Sequence, residues 1–423
     1  MKKDELRELL AANRAKYEEL KSVGLSLDLS RGKPGPDVLD VSNGLLDALG
    51  DYRAEDGTDV RNYGVLDGLP EAKRLFSELL GIPAGSMIVG GNSSLTHMYN
   101  MFAMLYQFGA TDGMGAMDCK PWHKESHVKI LCPVPGYDRH FNLSLDFGAK
   151  LVNVPMLDDG PDMDEVERLA ASDPSIKGIW IVPLYSNPTG CVISGEKAAR
   201  LARMSTAAPD FRIFWDNAYG VHHLWREHKA PDILSLCREA GYPERAVYFF
   251  STSKVNFPGA GIGLAASGPR TVERVKAHLK KQTIGFDKIA QLRTVRFFDG
   301  KAENVRLHMK KLADALRPRF ELVMDRLDAE FDGTGLISWK RPLGGYFLSV
   351  DTPEGCAKKV VSIAKEAGVV LTPAGATFPY GDDPKDSNLR LAPTFPSTDE
   401  LSATMDVFAV CVKVAALEKY LVD

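Results

Sequence analysis

Three short apolar runs in the middle of the chain constrain its fold most, because polar and reactive residues follow each of them. The runs are Ile179–Pro183, Phe211–Trp215 and Ala246–Phe250. Continuous apolar runs of this length are typical of strands buried on both faces of a parallel sheet. The intervals between the runs leave room for a helix and a returning parallel strand. The sequence therefore predicts an open α/β sheet, with Asn187, Asp216 and Lys254 just beyond the carboxyl ends of its strands, where such sheets bind ligands.

Lys254 ends the string Phe250–Lys254, which reads FSTSK and precedes a glycine-rich stretch. A lysine beside hydroxyl groups is well placed to form a Schiff base, and the hydroxyls and nearby backbone N–H groups can hold a phosphate. Pyridoxal 5'-phosphate (PLP) requires both properties of its binding site. An arbitrary lysine after a strand is more often a solvated loop residue, so the prediction depends on Asn187 and Asp216 upstream.

A second phosphate-binding feature is the glycine-rich turn Gly90–Ser94. It follows the apolar run Met87–Val89 and precedes a helical pattern from Leu95 to Phe108. Such a turn directs backbone N–H groups and the positive end of the helix dipole toward an anion. Taken alone, the turn fits a simple helix N-cap equally well.

The ordered set of strings resembles the fold-type I PLP-dependent aminotransferases over nearly the whole chain. Within that class, Arg31–Pro34, Cys132–His140 and Ser251–Gly261 resemble a narrow bacterial branch, the type Ic aspartate aminotransferases. The resemblance implies the α/β aspartate aminotransferase-like fold, with a mostly parallel seven-stranded sheet in a large domain and a smaller α+β domain. The expected parts are an N-terminal arm with part of the small domain (1–50), a large PLP-binding domain (51–300) and a C-terminal small domain (301–423).

The resemblance also assigns roles residue by residue. Lys254 corresponds to the Schiff-base lysine, and Asp216 to the carboxylate that pairs with the pyridine nitrogen. Asn187 and Tyr219 correspond to donors to the phenolic oxygen of the ring. The implied catalytic residues are thus Lys254, Asp216 and Tyr219. The other implied cofactor-binding residues are Asn92, Ser93, Ser94, Tyr137, His140, Asn187, Ser251, Ser253 and Tyr63.

Three of these positions carry further expectations. Tyr137 corresponds to an aromatic ring stacked on the cofactor, and His140 to a histidine that supports Asp216. Tyr63 matches a tyrosine that reaches the phosphate of the partner subunit, which implies a homodimer with shared active sites. One position departs from most relatives, because Gly261 stands where they place an arginine that neutralises the phosphate. The type Ic branch shares this departure, and the sequence leaves open which cation faces the phosphate.

Arg390 matches the arginine that clamps the substrate α-carboxylate, a task that suits the bidentate geometry of a guanidinium. Aspartate and glutamate carry a second carboxylate, so a pocket that selects them needs a second cation. Arg31 is the leading candidate, because its segment passes over the substrate in the family. Its rivals are Lys120, Lys124 and Arg139. The implied substrate-binding residues are Gly32, Asn187, Arg390 and Arg31.

The predicted function is transamination between aspartate and 2-oxoglutarate, by a ping-pong mechanism through a Lys254 Schiff base. Three alternatives stay open. They are an aminotransferase of aromatic, alanine or kynurenine-like substrates, a PLP-dependent lyase, and a PLP-sensing regulator domain. The regulator is the least favoured, because few residues precede the domain to form a DNA-binding module.

Composition excludes several other classes of function. The 52 basic and 56 acidic side chains give a formal net charge of −4, which does not indicate a nucleic-acid-binding surface. No window has the length and apolarity of a membrane span, and the first residues lack the apolar core of a signal peptide. Six cysteines without a dense framework favour a reducing cytoplasm.

Three tempting sites are rejected on spacing or context. The stretch Gly259–Gly263 superficially matches a dinucleotide loop, but no convincing helix start follows it. A zinc site is not expected, because its candidate ligands lack a Cys-x-x-Cys pair; they are Cys119, His123, His127 and Cys132. The histidines after Tyr219 are expected to pack or to form hydrogen bonds; they are His222, His223 and His228.

The remaining predicted elements flank the central region. We expect a charged N-terminal helix over Asp4–Lys21, a long helix over Lys301–Asp332, and strands at Gly345–Val350 and Val369–Thr372. The irregular stretch Gly109–Glu125 is expected to be a surface loop or lid.

Overall fold

The computed structural model describes residues 3–422; Met1, Lys2 and Asp423 lie outside the described part. Within that part the largest sheet has eight strands. In spatial order they are β2 (Met87–Val89), β9 (Gly263–Ser267), β8 (Ala246–Ser251), β7 (Arg212–Asp216), β6 (Ile176–Ile181), β3 (Lys129–Val134), β4 (Lys150–Leu157) and β5 (Gly160–Pro161). The five strands from β8 to β4 are mutually parallel, whereas β9 pairs antiparallel with both β8 and β2, and β5 pairs antiparallel with β4.

This mixed, mostly parallel sheet confirms the predicted fold class. Its strand count exceeds the predicted seven by one, because the two-residue β5 adds a short edge strand after β4. The three apolar runs form β6, β7 and β8, each of which is buried along its whole length. Successive residues of these strands face two separate apolar clusters; Ile179 and Ile181 pack in one, and Trp180 packs in the other. Burial on both faces explains why the runs are continuously apolar.

Helices connect the parallel strands, as crossover connections require. The α-helices that precede β9, the last strand of the large sheet in the sequence, are α1 (Lys3–Ser22), α2 (Pro36–Asp40), α3 (Pro70–Leu80), α4 (Ser94–Phe108), α5 (Asp138–Asp146), α6 (Met163–Ser172), α7 (Gly195–Arg203) and α8 (Ile233–Glu239). Three of them join neighbouring parallel strands: α5 lies between β3 and β4, α7 between β6 and β7, and α8 between β7 and β8.

The rest of the chain forms smaller sheets and long helices. Its elements are β1 (Leu27–Asp28), α9 (Pro269–Gln282), α10 (Lys288–Phe297), α11 (Ala302–Phe331), β10 (Ser338–Trp339), β11 (Leu348–Asp351), α12 (Ala357–Glu366), β12 (Val369–Val370), β13 (Asn388–Leu391) and α13 (Thr398–Val422). Strands β10, β11 and β13 form an antiparallel sheet, and β1 pairs parallel with β12. The N-terminal helix α1 packs against α13.

Element boundaries differ from the predicted ones by a few residues. The predicted strand Gly345–Val350 begins only at Leu348, because Gly345 has a positive φ of 80° and lies outside the extended region. Gly109–Glu125 is irregular, as predicted, apart from a short 3-10 helix at Trp122–Lys124. No helix between Lys3 and Val422 is both long enough and apolar enough to cross a membrane.

Candidate active site

A cavity of about 460 Å³ lies at the carboxyl ends of the central parallel strands. Its wall combines these strand ends with the N-terminal segment, the start of α4 and the C-terminal sheet. The lining residues are Ser30, Arg31, Gly32, Ser93, Ser94, Leu95, Tyr137, Asp138, Arg139, Val182, Asn187, Asp216, Ala218, Tyr219, Ser251, Ser253, Lys254, Phe347 and Arg390. The fold thus brings most of the predicted site residues to one cavity.

Asp216 is the last residue of β7, and its carboxylate is buried. Its Oδ2 lies 2.9 Å from Nε2 of the buried His140. The His140 ring stacks on Trp180, with ring centroids 4.3 Å apart and planes at 9°. The stack on Trp180 holds the histidine in place, and the histidine in turn holds the carboxylate. The other oxygen, Asp216 Oδ1, is buried without a hydrogen-bond partner among the described residues, and a buried acceptor of this kind calls for a donor.

Lys254 ends a short 3-10 helix that directly follows β8. Its Nζ donates a hydrogen bond to the carbonyl oxygen of Gly32 at 2.9 Å and lies 4.2 Å from the centre of the Tyr346 ring. Removal of the amine from water lowers the pKa of Lys254 from its ordinary 10.5 to about 8. Such a lysine is poised between proton donor and nucleophile near neutral pH.

The Phe347 ring leaves no room for a side chain at Gly32, whose carbonyl accepts the Lys254 hydrogen bond. A Cβ at that position would lie 2.3 Å from the Phe347 ring. Glycine therefore lets the N-terminal segment approach closely enough for its carbonyl to accept the lysine hydrogen bond.

Hydroxyl groups cluster on the wall near Lys254. Ser251 Oγ donates to Ser253 Oγ at 3.0 Å. Ser93 and Ser94 line the cavity where α4 begins, so the unpaired N–H groups of its first turn lie at the wall. Thr252, between the two serines, instead accepts a hydrogen bond from the backbone N–H of Ile262. This arrangement of hydroxyls and N–H groups is suited to an anion.

Arg390 lies on β13 and reaches the cavity from the C-terminal sheet. Its Nη1 donates to Asp138 Oδ1 at 3.2 Å and to Asn187 Oδ1 at 3.3 Å. The guanidinium carbon is 4.9 Å from the Phe347 ring centre. Both polar contacts are long, and Nε is buried without a partner in residues 3–422. The guanidinium therefore keeps donors available for a carboxylate.

Two tyrosines complete the wall. Tyr137 stands edge-on to His140, with ring centroids 5.0 Å apart and planes at 78°. Tyr219 is buried, and its ring centre lies 6.1 Å from that of Tyr346. Burial raises the pKa of both phenols, and the nearby Asp216 charge adds to the increase. Both hydroxyls therefore stay protonated at neutral pH and can donate hydrogen bonds.

Three predicted site residues lie outside this lining. His140 lies behind the lining, where it contacts Asp216 and Tyr137. Asn92 is exposed in the turn before α4. Tyr63 is 79% exposed, so its side chain faces outward from the chain.

The four side chains predicted as candidates to bind the second carboxylate of a substrate differ in their position and in their pairing. Arg31 and Arg139 both line the cavity, are exposed, and form no side-chain hydrogen bond or ion pair with another residue of the described chain. Lys120 pairs instead with Glu125 at 2.8 Å, and neither it nor Lys124 lines the cavity. Two free arginines are thus left for an anionic ligand.

Sequence reasoning missed residues whose importance comes from packing. Asp138 bonds to Arg390, and Tyr346 covers the amine of Lys254. Asp138 had a usable signal, because it follows Tyr137 directly in the string Cys132–His140. Tyr346 had no usable sequence signal, apart from its position after two glycines in a predicted strand.

Of the histidines after Tyr219, His222 packs in the interior, and His223 and His228 form hydrogen bonds. His222 is buried against Tyr346, and burial together with the Lys254 charge lowers its pKa to about 3. Nδ1 of His223 and Nδ1 of His228 both contact the Tyr185 hydroxyl, at 2.6 and 3.2 Å. Among residues 3–422, no three or more His, Cys, Asp or Glu side chains are grouped to hold a metal ion.

Comparison with known proteins gives one consistent result. Residues 1–423 match the family model described as aspartate amino-transferase. An aspartate aminotransferase of Corynebacterium glutamicum is 45% identical over 408 residues, which covers 96% of this chain and 93% of that relative. The crystal structure of an aspartate transaminase from the same species has a TM-score of 0.95 at 44% identity, and the match covers 99% of this chain and 98% of that one.

A more distant structure shares the fold alone. The alpha-aminoadipate aminotransferase of Thermus thermophilus, solved in complex with N-(5'-phosphopyridoxyl)-L-leucine, has a TM-score of 0.74 at 20% identity over 93% of each chain. The match to the family model and the close relatives decide the assignment. The chain therefore belongs to the aspartate aminotransferase family and is a fold-type I aminotransferase.

Proposed function

We propose that the chain transfers an amino group from aspartate to 2-oxoglutarate, in two half-reactions of a ping-pong cycle with pyridoxal 5'-phosphate. One observation carries the proposal. The buried carboxylate of Asp216 has one oxygen, Oδ1, without a partner among the described residues. This carboxylate shares a cavity with Arg390 and with Lys254, whose pKa is lowered. The identity to a relative named aspartate aminotransferase supports the choice of aspartate.

The residues of the cavity fit this cofactor. Asp216 Oδ1 would accept a hydrogen bond from a protonated pyridine nitrogen, and the negative charge of the carboxylate would keep that proton in place. Ser93, Ser94, Ser251 and Ser253 would hold the phosphate with hydroxyls and helix N–H groups. When bound, the cofactor supplies an aldehyde that condenses with amines and a ring that withdraws electrons from the substrate Cα.

Lys254 would carry the cofactor covalently and later move a proton. Its contacts with the Gly32 carbonyl and the Tyr346 ring define where the free amine would be held. With a pKa of about 8, the released amine can accept the Cα proton of the substrate and return it elsewhere. Tyr219 and Asn187 would orient the ring from the same wall.

Arg390 would bind the α-carboxylate common to all amino-acid substrates. Its present contacts with Asp138 and Asn187, at 3.2 and 3.3 Å, are longer than charge-assisted bonds usually are. A carboxylate can therefore compete for the guanidinium. The Phe347 ring, 4.9 Å from the guanidinium carbon, lies beside the arginine in the cavity wall and would help to orient it.

Arg31 and Arg139 would distinguish a dicarboxylic substrate from a neutral one. Each is a lining cation without a side-chain partner among the described residues, so neither must break an ion pair to bind the distal carboxylate. Arg31 remains our first choice, because its neighbour Gly32 touches Lys254 directly.

Tyr63 supports a homodimer with shared active sites. Its exposed ring is too far outside its own cavity to line it, whereas a partner subunit could receive it at the phosphate. The site would then be complete only in the dimer.

A panel of amino acids tests the proposed substrate. Each is mixed with the cofactor-loaded protein, and the cofactor absorption is followed through a single half-reaction. We expect aspartate and glutamate to convert the cofactor fastest. Faster conversion by aromatic amino acids, kynurenine or alanine would reassign the substrate, and release of a product that keeps its nitrogen would indicate a lyase.

A further inference from the structure

A second and larger cavity, of about 600 Å³, lies between α3, α11 and the segment 217–232 that follows Asp216. It shares no lining residue with the site described above. Its volume falls within the range of small-molecule sites. We refer to it as the α11 cavity.

Part of the wall of the α11 cavity is polar and deeply buried. Asn217 is 4% exposed, and its amide nitrogen donates to the hydroxyl of the buried Tyr248 at 2.5 Å. The amide oxygen of Asn217 is buried and has no partner among residues 3–422. A buried amide that is only half satisfied costs stability, and a ligand donor or a water molecule would complete it.

One face of α11 supplies positive charge. Arg306, Lys310 and Arg317 share this face, because Lys310 follows Arg306 by about one turn and Arg317 follows Lys310 by about two, and all three line the cavity. Arg317 already has partners, because it forms an ion pair with Asp314 at 2.9 Å and donates a hydrogen bond to the Leu224 carbonyl oxygen. Lys310 forms no ion pair or hydrogen bond within the described chain, and Arg306 forms one long ion pair there, with Glu303 at 3.9 Å, which a ligand carboxylate can replace. Two cations on one helix face are therefore available.

Four carboxylates also line the cavity, and within residues 3–422 none of them forms an ion pair with Arg306 or Lys310. Asp314 is taken by Arg317, and Asp232 caps α8 by accepting from the Ser235 N–H at 3.0 Å. The other two lining acids, Glu78 and Glu227, belong to α3 and to the loop after Trp225. Neither forms an ion pair with Arg306 or Lys310.

Much of the remaining wall is apolar, although His223, His228 and Lys229 also line it. Its apolar part is built from buried aliphatic side chains, with the half-exposed indole of Trp225 at 42% exposure. The aliphatic residues include Leu79, Ile82, Val221, Leu224 and Met309. Such a wall accepts a flat or branched hydrocarbon body.

From these features we infer that the α11 cavity binds a small carboxylic acid with an aromatic body. Arg306 and Lys310 hold its carboxylate, the aliphatic wall and Trp225 cover its ring, and Asn217 accepts a hydrogen bond from it. The α11 cavity is adjacent to the proposed active site, because neighbouring residues of the chain line the two cavities. Asn217 follows Asp216, and Gly220 follows Tyr219. An added Cβ at Gly220 would lie 2.4 Å from the Asn217 amide nitrogen, so the turn 217–220 has no room for a side chain at Gly220.

Calorimetric titration of the cofactor-loaded protein with indole-3-acetate tests the inference. We expect saturable binding at one site per chain. The double variant Arg306→Gln/Lys310→Gln should weaken it roughly tenfold or more, as loss of charge-assisted bonds to a carboxylate requires. Indole-3-acetamide, which lacks the charge, should bind the original protein as weakly as the acid binds the double variant.

Two matched variants locate the site. Lys311→Gln removes the neighbouring exposed lysine, which does not line the cavity, and should leave the affinity unchanged. Arg390→Ala should also leave it unchanged, because the inference does not use the active-site arginine. Loss of binding in Arg390→Ala but not in the α11 double variant would place the acid in the active site and overturn the inference. Absence of binding at millimolar concentrations would overturn it as well, whatever the outcome of the amino-acid panel.

Discussion

His140 Nε2 lies 2.9 Å from Asp216 Oδ2, and the histidine ring is itself stacked on Trp180. One carboxylate oxygen is thereby held in place, while the other is buried and has no partner among residues 3–422. The histidine contact and the position at the end of β7 set the orientation of this second oxygen. A ring nitrogen that carries a proton is the partner best matched to it.

Asp216→Asn should therefore lower transamination activity by roughly 10²-fold or more, since a neutral amide cannot stabilise a protonated ring nitrogen. Steady-state rates and the cofactor absorption spectrum measure the effect. Asp146→Asn, at the exposed end of α5, is the matched control and should behave as the original protein. Near-normal activity of Asp216→Asn would refute the pairing.

Arg31→Ala should reduce efficiency with aspartate and 2-oxoglutarate by roughly 10²-fold, which corresponds to about 3 kcal/mol of lost charge-assisted bonding. Efficiency with alanine should change far less. Arg139→Ala, made in parallel, shows whether the other free arginine shares the task. Equal losses with aspartate and alanine would show that Arg31 supports the loop and does not read the side chain.

Lys254→Met should stabilise the cofactor-free protein at neutral pH. The folded-state pKa of about 8 lies below the ordinary 10.5, so burial of the protonated amine destabilises the fold by up to about 3 kcal/mol. This penalty is fully present below pH 8 and fades as the pH rises toward 10.5, where both states lose the proton.

Urea unfolding of Lys254→Met and the original protein, at neutral pH and near the upper end of that range, measures this stability difference. The difference should be largest at neutral pH and should shrink at high pH. Lys281→Met, at an exposed lysine of α9, should show no such trend. A stability gain that is independent of pH would mean that packing, not desolvation of the charge, sets the effect.

Subunits inactivated at Lys254 and subunits inactivated at Tyr63 should complement each other when mixed. In a hybrid dimer with shared sites, one site receives both lesions and the other receives neither. Activity should therefore reappear after Lys254→Ala and Tyr63→Ala proteins are unfolded and refolded together. No recovery from a mixture that has formed dimers, or a fully active monomer in sedimentation, would argue against shared sites.

Local patterns predicted the central sheet well, because burial on both faces leaves a continuous apolar run. The prediction for β8, Ala246–Phe250, differs from the observed Ala246–Ser251 by one residue. The short edge strand β5 was missed, because a pair of residues carries no periodic signal. The domain limits at residues 50 and 300 stay a prediction.

The site was predictable where its residues follow strand ends, and less so where distant segments meet. Asn187, Asp216 and Lys254 line one cavity because parallel strands end at a common edge. Tyr346 contacts Lys254 through the packing of the C-terminal sheet, and Asp138 meets Arg390 although 252 positions separate them in the sequence. Neither contact has a local sequence pattern, since tertiary packing alone creates it.

Borohydride reduction of the cofactor-loaded protein, followed by peptide mass spectrometry, tests the central claim most directly. Reduction converts a lysine-bound cofactor into a stable pyridoxyl group on the same nitrogen. We predict one labelled peptide per chain, with the label on Lys254, and no labelled peptide from Lys254→Ala. A label on a different lysine of the original protein, or no label despite bound cofactor, would contradict the account.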